Sequence, residues 1–424
     1  MTARPRFGRL RGRPAASHRT ALASCLVLAG CAALAGCGRV AAPGTAAASL
    51  VPVKLSLATS VSASDGADWA VVQLGTSAKD HNNFWELFVR PAGATAAWKL
   101  ATPAGVASNG GLVAAPAADQ AGRQGALAAG FQPSQDLTFS PVTATTDDGV
   151  RWSQGAPLAP GLADRPDALA AGAAGRLLAV TRAGNAELST NEGASWTKLA
   201  TARSLAATAA GRGCRPTEIT GAALTAAGVP VLAATCQRPG AVGLFAQEGG
   251  SWRLAGPVLP AALRARGVSV LRLVSAQDRM TVVLAAGSGA DAGIVTAWLP
   301  GAAAANGQAF AWQVSPVLRA SPASLRSVAV WGGGTVGLVR SDGRTETGAV
   351  LARPDISAAG ARTGWQSLRT LPAGTQTLAT GSAGQPEALT AAGGTLTIWQ
   401  FSRQTGAWTK AQTVRVQIPY GSSG

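Results

Sequence analysis

This 424-residue chain is poor in the residues that carry out chemistry. Beyond position 36 it has one histidine, His81, and its only tyrosine is Tyr420, near the last residue. A lone histidine excludes a Ser-His-Asp or Cys-His arrangement unless His81 is the base, and no Gly-x-Ser-x-Gly elbow stands with it. No His/Cys cluster has the spacing of metal ligands, so neither a metal nor another cofactor is expected. His81 sits in the polar run 79–83, ahead of the apolar Phe84–Val89, and reads as an exposed turn. Helical periodicity is scarce as well. Alanine is abundant, but 53 glycines and 24 prolines interrupt it every few residues, and only Pro260–Arg264 reads as a helical turn. Basic clusters are missing despite a net charge of +16. The arginines are scattered singly (Arg123, Arg151, Arg176, Arg253, Arg340), with no basic helix, zinc knuckle or aromatic RNA-binding motif. A nucleic-acid partner is therefore not expected.

What is present begins with a distinctive first segment. Six arginines (Arg4, Arg6, Arg9, Arg11, Arg13, Arg19) and no acid occupy the first twenty residues, and Thr20 to Gly38 carries no charge. A basic head followed by a short apolar stretch ending in small residues is the pattern of a secretory signal. No Arg-Arg pair marks it as a twin-arginine signal. Leu34-Ala35-Gly36-Cys37 closes the stretch. This string resembles the lipobox of bacterial lipoproteins. The resemblance implies lipidation of the Cys37 thiol and cleavage just ahead of it. A second copy, Leu28-Ala29-Gly30-Cys31, lies upstream. Cys37 is preferred because it leaves the longer apolar run, and Gly38 opens a small-residue tether. The uncharged run is long enough to span a bilayer uncleaved, but it is rich in Ala and Gly and no strong basic stop follows it.

These features divide the chain into a signal peptide (1–36), a flexible tether (37–53), a folded body (54–419) and a tail (420–424). Two acyl chains on one cysteine, at about 0.8 kcal/mol per buried methylene, suffice for stable anchoring. The expected location is the extracytoplasmic face of the cell membrane. Without the signal, 388 residues remain, with thirty basic side chains against twenty acidic ones. That excess favours contact with anionic lipid or wall polymer.

Cysteine usage follows from the same division. Cys25 and Cys31 leave with the signal and Cys37 carries lipid, so only Cys214 and Cys236 remain. In an exported chain these two are expected to bond. Between them Ile219–Leu224, a turn at Gly228 and Val231–Thr235 read as strand, turn and strand, with the cysteines at the outer ends.

Short apolar strands punctuated by glycine continue through the body, and tryptophan recurs along them. Trp98, Trp152, Trp196, Trp252, Trp312, Trp365 and Trp408 are separated by 54, 44, 56, 60, 53 and 43 residues. Each precedes a polar strand end, a Pro- or Gly-marked connection and a new apolar strand. A four-stranded blade with its turns needs about 40 to 50 residues. Seven such units fit between Lys54 and Pro419, which predicts an all-β fold, a β-propeller of seven blades. Closing such a ring joins its first and last blades. Val414–Ile418 is expected to pair within the last blade or beside Val51–Leu55.

Two repeats carry a sharper motif. Thr145-Thr146-Asp147-Asp148-Gly149-Val150-Arg151-Trp152 fits Ser/Thr-x-Asp-x-Gly-x-x-Trp, and Ser189-Thr190-Asn191-Glu192-Gly193-Ala194-Ser195-Trp196 fits it with Asn for Asp. Looser copies end at Trp252 and Trp408. The motif resembles the Asp-box, or BNR repeat, of sialidase-like propellers. Its physical content is structural. Asp or Asn accepts hydrogen bonds from its own turn, Gly supplies a positive φ, and Trp buries its ring. In that superfamily the turn lies away from the ligand face.

The resemblance also raises a sialidase reading. Those enzymes use an arginine triad, an aspartate acid/base and a Tyr–Glu nucleophile. Their first arginine lies in an Arg-Ile-Pro motif; here the nearest string is Phe88-Val89-Arg90-Pro91, with Arg and Pro adjacent, and Tyr420 is badly placed for a nucleophile. The expectation is a non-catalytic, monomeric lipoprotein whose propeller binds a protein, peptide or glycan. A degenerate sialidase-like glycoside hydrolase is the alternative. Related propellers include assembly factors that hold partner proteins at membranes, which supplies the analogy for the first reading.

Overall fold

In this computed structural model the residues described are 59–62, 67–74, 84–93, 95–103, 106, 111–116, 127–132, 142–146, 151–154, 166–172, 175–276, 279–288, 292–300, 310–331, 334–351, 364–368 and 370–416. The signal, Cys37, the tether, His81 and Tyr420 lie outside them.

Among the described residues the strands form seven antiparallel four-stranded meanders. The first holds β1–β4 (Thr59–Ser62, Asp68–Leu74, Phe84–Arg90, Lys99–Leu100) and the second β5–β8 (Gly111–Pro116, Leu127–Gln132, Val142–Thr146, Arg151–Gln154). The third holds β9–β12 (Pro166–Ala171, Leu177–Thr181, Asn185–Ser189, Thr197–Thr201) and the fourth β13–β16 (Pro216–Leu224, Pro230–Cys236, Leu244–Glu248, Ser251–Leu254). The fifth is β17–β20 (Val268–Ala276, Arg279–Ala286, Gly293–Pro300, Gln313–Val314), with β21 (Leu318–Arg319) also pairing to β19. The sixth is β22–β25 (Leu325–Trp331, Thr335–Ser341, Glu346–Leu351, Gln366–Leu368) and the seventh β26–β29 (Thr375–Thr380, Pro386–Ala392, Thr395–Ser402, Ala407–Arg415).

Apolar residues of period two on both faces of each meander leave two surfaces to bury. They are buried in seven separate apolar clusters, one per junction between neighbours. Leu178, Leu205 and Leu232 pack the third meander on the fourth. Leu244, Val282 and Leu299 pack the fourth on the fifth. The last cluster joins Ala379, Leu389 and Ile398 of the seventh meander to Val72, Leu74 and Phe88 of the first. Units packed each on the next, and the last on the first, make a β-propeller. First strands lie innermost, where β5, β9, β13 and β17 touch in turn and β26 touches both β22 and β1. β1 also pairs in parallel with β22 at Val61↔Val330, which links the first and sixth meanders into one sheet.

The tryptophan repeat marks one place in every meander. Each of the seven stands at the first two positions of the fourth strand or just ahead of it. Each packs against the meander before its own. Trp196, 7% exposed, fits among Ala115, Ala128 and Leu169. Trp312 donates its indole N–H to Ala255 O (2.7 Å), Trp365 to Pro316 O (3.1 Å) and Trp98 to Glu387 Oε2 (2.9 Å). The repeat therefore seals junctions. A buried Trp→Ala change at such a place costs about 3–5 kcal/mol.

The turn Ser189–Trp196 is closed by its own side chains. Asn191 Oδ1 accepts from Ser195 N (2.9 Å), Ser189 Oγ accepts from Gly193 N (2.9 Å), and Gly193 has φ 83°. Glu192 also takes a positive φ, 59°, held by its N–H on Gly175 O (2.8 Å). In the first copy, Asp147 and Gly149 lie outside the described residues, while Thr145 faces Trp152 across β7 and β8.

One feature differs from the sequence reading. Besides the 3₁₀ turns Ala261–Leu263 and Pro322–Ser324, the described residues include two short helices, α1 (Ala202–Ala206) and α2 (Ala209–Cys214), between the third and fourth meanders. Capping by Thr201 and Thr208 stabilises them where alanine content alone does not. Val414 and Arg415 belong to β29 and pair with β28, so the C-terminal strand closes within the last meander.

Among the described residues no strand is exchanged across the seam between seventh and first meanders; side chains bridge it. Gln73 N–H donates to Gln376 Oε1 (2.9 Å) and Gln376 Nε2 to Gln73 O (2.7 Å). Gln412 brackets the Trp98 backbone likewise, accepting from its N–H (2.9 Å) and donating to its carbonyl (2.7 Å). Ser60 Oγ donates to Leu378 O. Buried among them, Arg90 pairs with Asp68 and with Glu387 (3.4 Å) and lies over the Trp98 ring at 5.6 Å.

Candidate functional site

Antiparallel meanders of four strands start and finish at the same end. All connections between meanders, and all loops between second and third strands, therefore emerge on one face of the ring. The Ser189–Trp196 turn joins third to fourth strands and lies on the opposite face.

The connection face carries the α1–α2 insertion. Thr201 Oγ1 accepts from Ser204 N (3.0 Å) while Ser204 Oγ accepts from Thr201 N (2.8 Å), a reciprocal capping box. Leu205 is fully buried beneath the pair of helices. Gly211 is required by close approach, because a Cβ there would strike Leu205 O and the Ala206 backbone. Cys214, the last residue of α2, bonds Cys236 at the end of β14, with Cα atoms 4.9 Å apart. The expected partners are thus joined, although Cys214 stands on a helix rather than a strand. Both cysteines are buried. Beside them Gln237 N–H donates to Arg215 O (3.1 Å) and Arg238 N–H to Cys214 O (3.2 Å).

Disulfide and backbone pairing together fix a small basic site. Arg212, Arg215 and Arg238, with Ala206, Pro216 and Gln237, surround a surface pocket of about 420 Å³. Arg215 takes the left-handed conformation that ends α2, φ 55°. All three arginines are exposed, and none has an ion-pair partner among the described residues. Folding brings Arg238 to Arg212 and Arg215, which are far from it in the sequence.

The same face carries exposed apolar side chains. Among the described residues the large apolar side chains left exposed are Leu100, Leu254, Val258 and Val317. Every one lies at the end of a fourth strand or in a connection to the next meander. An isolated exposed leucine means little, but confinement of all four to one face marks a surface. Leu254 borders α2, lying 3.4 Å from where a Cβ on Gly213 would stand.

No protein-family model matches this chain, and no curated protein sequence does. Among solved structures, it is similar to YCF48 bound to D1 peptide, at 12% identity over 67% of this chain and 78% of that one, TM-score 0.39. It is similar to the GH74 xyloglucanase of Xanthomonas campestris, at 15% identity over 84% of this chain and 54% of that one, TM-score 0.45. A six-bladed fungal lectin from Aleuria aurantia matches at 13% identity over 72% of this chain and 95% of that one, TM-score 0.37. These are likenesses of chain path. None carries a residue role to this chain.

Arg90 falls away from the arginine pocket. Arg90, the arginine nearest to a sialidase motif, is 5% exposed and is bound by two carboxylates. Among the described residues no group of three or more His, Cys, Asp or Glu side chains could hold a metal. Glu86, on the first-meander face that packs on the seventh, has its carboxyl raised above the ordinary 4.5 by burial, against a hydrogen bond from Thr102.

Proposed function

We propose that this chain is a lipid-anchored, non-catalytic, seven-bladed propeller at the extracytoplasmic face of the cell membrane, and that its connection face binds an anionic partner protein, peptide or glycan. One observation carries the binding half. Three exposed arginines without acidic partners surround a pocket on a disulfide-fixed insertion, on the face that also exposes Leu100, Leu254, Val258 and Val317. Apolar contacts with arginines beside them form the composition of protein-recognition surfaces. The anchoring half rests on the Leu34–Cys37 string.

The test uses the full chain extracted in detergent. Wild type is expected to retain a stoichiometric partner, and the combined variant Arg212→Glu, Arg215→Glu and Arg238→Glu to lose it at unchanged melting temperature. A partner held equally by both would overturn the assignment of this face. Hydrolysis of a sialoside or an aryl glycoside would overturn the non-catalytic reading. Cys37→Ser is expected to abolish lipid labelling, and persistent labelling would move the anchor to Cys31.

A further inference from the structure

The innermost strands of the second to fifth meanders, β5, β9, β13 and β17, enclose a cavity of about 40 Å³. It is lined by Leu112–Ala115, Asp167–Ala171, Gly221, Ala222 and Arg272–Ser275. Most of that lining is apolar, and Arg272 is the only arginine in it. A bulge places it there. Val270 faces Leu284 and Arg272 faces Val283, so Leu271 is the extra residue. Leu271 turns to the cluster shared with the sixth meander, and Leu273 to the cluster shared with the fourth. Arg272 is left on the cavity between them.

Among the described residues the guanidinium has no countercharge. Nε is sealed from solvent with no hydrogen-bond partner, and no ion pair to Arg272 exists among the described residues. Part of the side chain still reaches solvent through the cavity's open side. Burial alone pulls its pKa down to about 10. Asp167 stands at the rim, but it is exposed and lies 3.7 Å from Arg182. A charge in low dielectric without a partner is unfavourable, and a bound counter-ion removes the penalty. Each lining strand pairs on one edge only, β5 with β6, β9 with β10, β13 with β14 and β17 with β18. Among the described residues the other edges carry no strand ladder, and an unpaired edge offers backbone N–H groups to an anion.

We propose that this cavity binds a small monovalent anion of about chloride's size, held by the Arg272 guanidinium and by free N–H groups of the innermost strands. Size sets the class. A water needs about 10–15 Å³ of such space, so the cavity accepts a halide with a water or two and excludes a nucleotide or a sugar. The site is separate from the arginine pocket, and its occupancy does not depend on partner binding.

Thermal melting of the full chain in sodium gluconate, sodium chloride and sodium bromide at equal ionic strength tests it. The melting temperature of wild type is expected to rise saturably with chloride and bromide relative to gluconate. Arg272→Met is expected to lose that dependence while melting no lower than wild type in gluconate. Arg272→Lys is expected to weaken the halide effect about tenfold, since a point charge replaces a planar fork. Should the variants fail to fold, wild-type crystals soaked in bromide give an independent answer, with an anomalous peak expected against Arg272. Equal melting of wild type in gluconate and chloride, a halide effect that survives in Arg272→Met, or a cavity holding only water would each overturn the proposal.

Discussion

The junction between the fourth and fifth meanders and the seam between the seventh and first do the same geometric job with different chemistry. The first is filled by aliphatic side chains such as Val231, Leu244, Leu273, Val282 and Leu299. The second keeps a smaller apolar cluster and adds Asp68, Arg90, Glu387, Gln73, Gln376 and Gln412. Consecutive meanders are joined by a short peptide, so non-directional packing suffices to bring them together. The first and seventh are separated by most of the chain. Apolar packing alone would let them meet in several registers, and the glutamine pairings and the buried arginine accept only one.

This contrast can be broken most directly at Arg90. Arg90→Met leaves the Asp68 and Glu387 carboxylates buried without their cation and is expected to cost about 3–5 kcal/mol in urea unfolding. Adding Asp68→Asn and Glu387→Gln is expected to recover most of that loss. Leu284→Ala at the other junction is expected to cost a comparable 2–5 kcal/mol or so, with no second substitution that restores it. An Arg90→Met variant as stable as wild type would remove the distinction.

The disulfide gives the next largest effect. Replacing Cys214 and Cys236 together by alanine is expected to cost about 3 kcal/mol. Protection from hydrogen exchange should fall in α1, α2 and β14 first, while the seam stays protected. At the seam, Gln376→Ala or Gln412→Ala each removes two inter-meander hydrogen bonds, for an expected loss of about 1–2 kcal/mol by denaturant midpoint.

Glu86 gives the smallest effect and the sharpest sign. Its carboxyl is raised by burial, so its protonated form favours the fold. That contribution is complete below the ordinary carboxylate value and is lost as pH rises through the raised one. Glu86→Gln is expected to match wild type near pH 4 and to melt higher near pH 7. A Glu86→Gln advantage that grew toward acid pH would contradict the burial argument.

Much of the ring is legible in the amino-acid sequence, and the reason is specific. One tryptophan per meander has to sit at the start of the fourth strand to cover the meander before it, so the spacing of Trp98 to Trp408 reports the spacing of whole units. Glycine-marked hairpins and apolar runs such as Trp69–Leu74 and Met280–Leu284 set the strands between them. The α1–α2 insertion was hidden because alanine and glycine alternate there. Its signal lay in the caps, Thr201 with Ser204 and Thr208 with Gly211. Only part of the arginine pocket is visible in the linear order: Arg212 and Arg215 stand close together, but Arg238 reaches them only through a disulfide and a strand pair. The seam left no linear trace, since its partners Arg90 and Glu387 are 297 positions apart.

A seam bridged by side chains also bears on how such a gene can be rearranged. Because every meander keeps all four of its own strands, the reading frame could be opened at another connection and the present ends joined without splitting a sheet. Circular permutants cut between meanders should then fold to the same ring, and the polar lock would become an internal junction carrying the mark of where the chain once began.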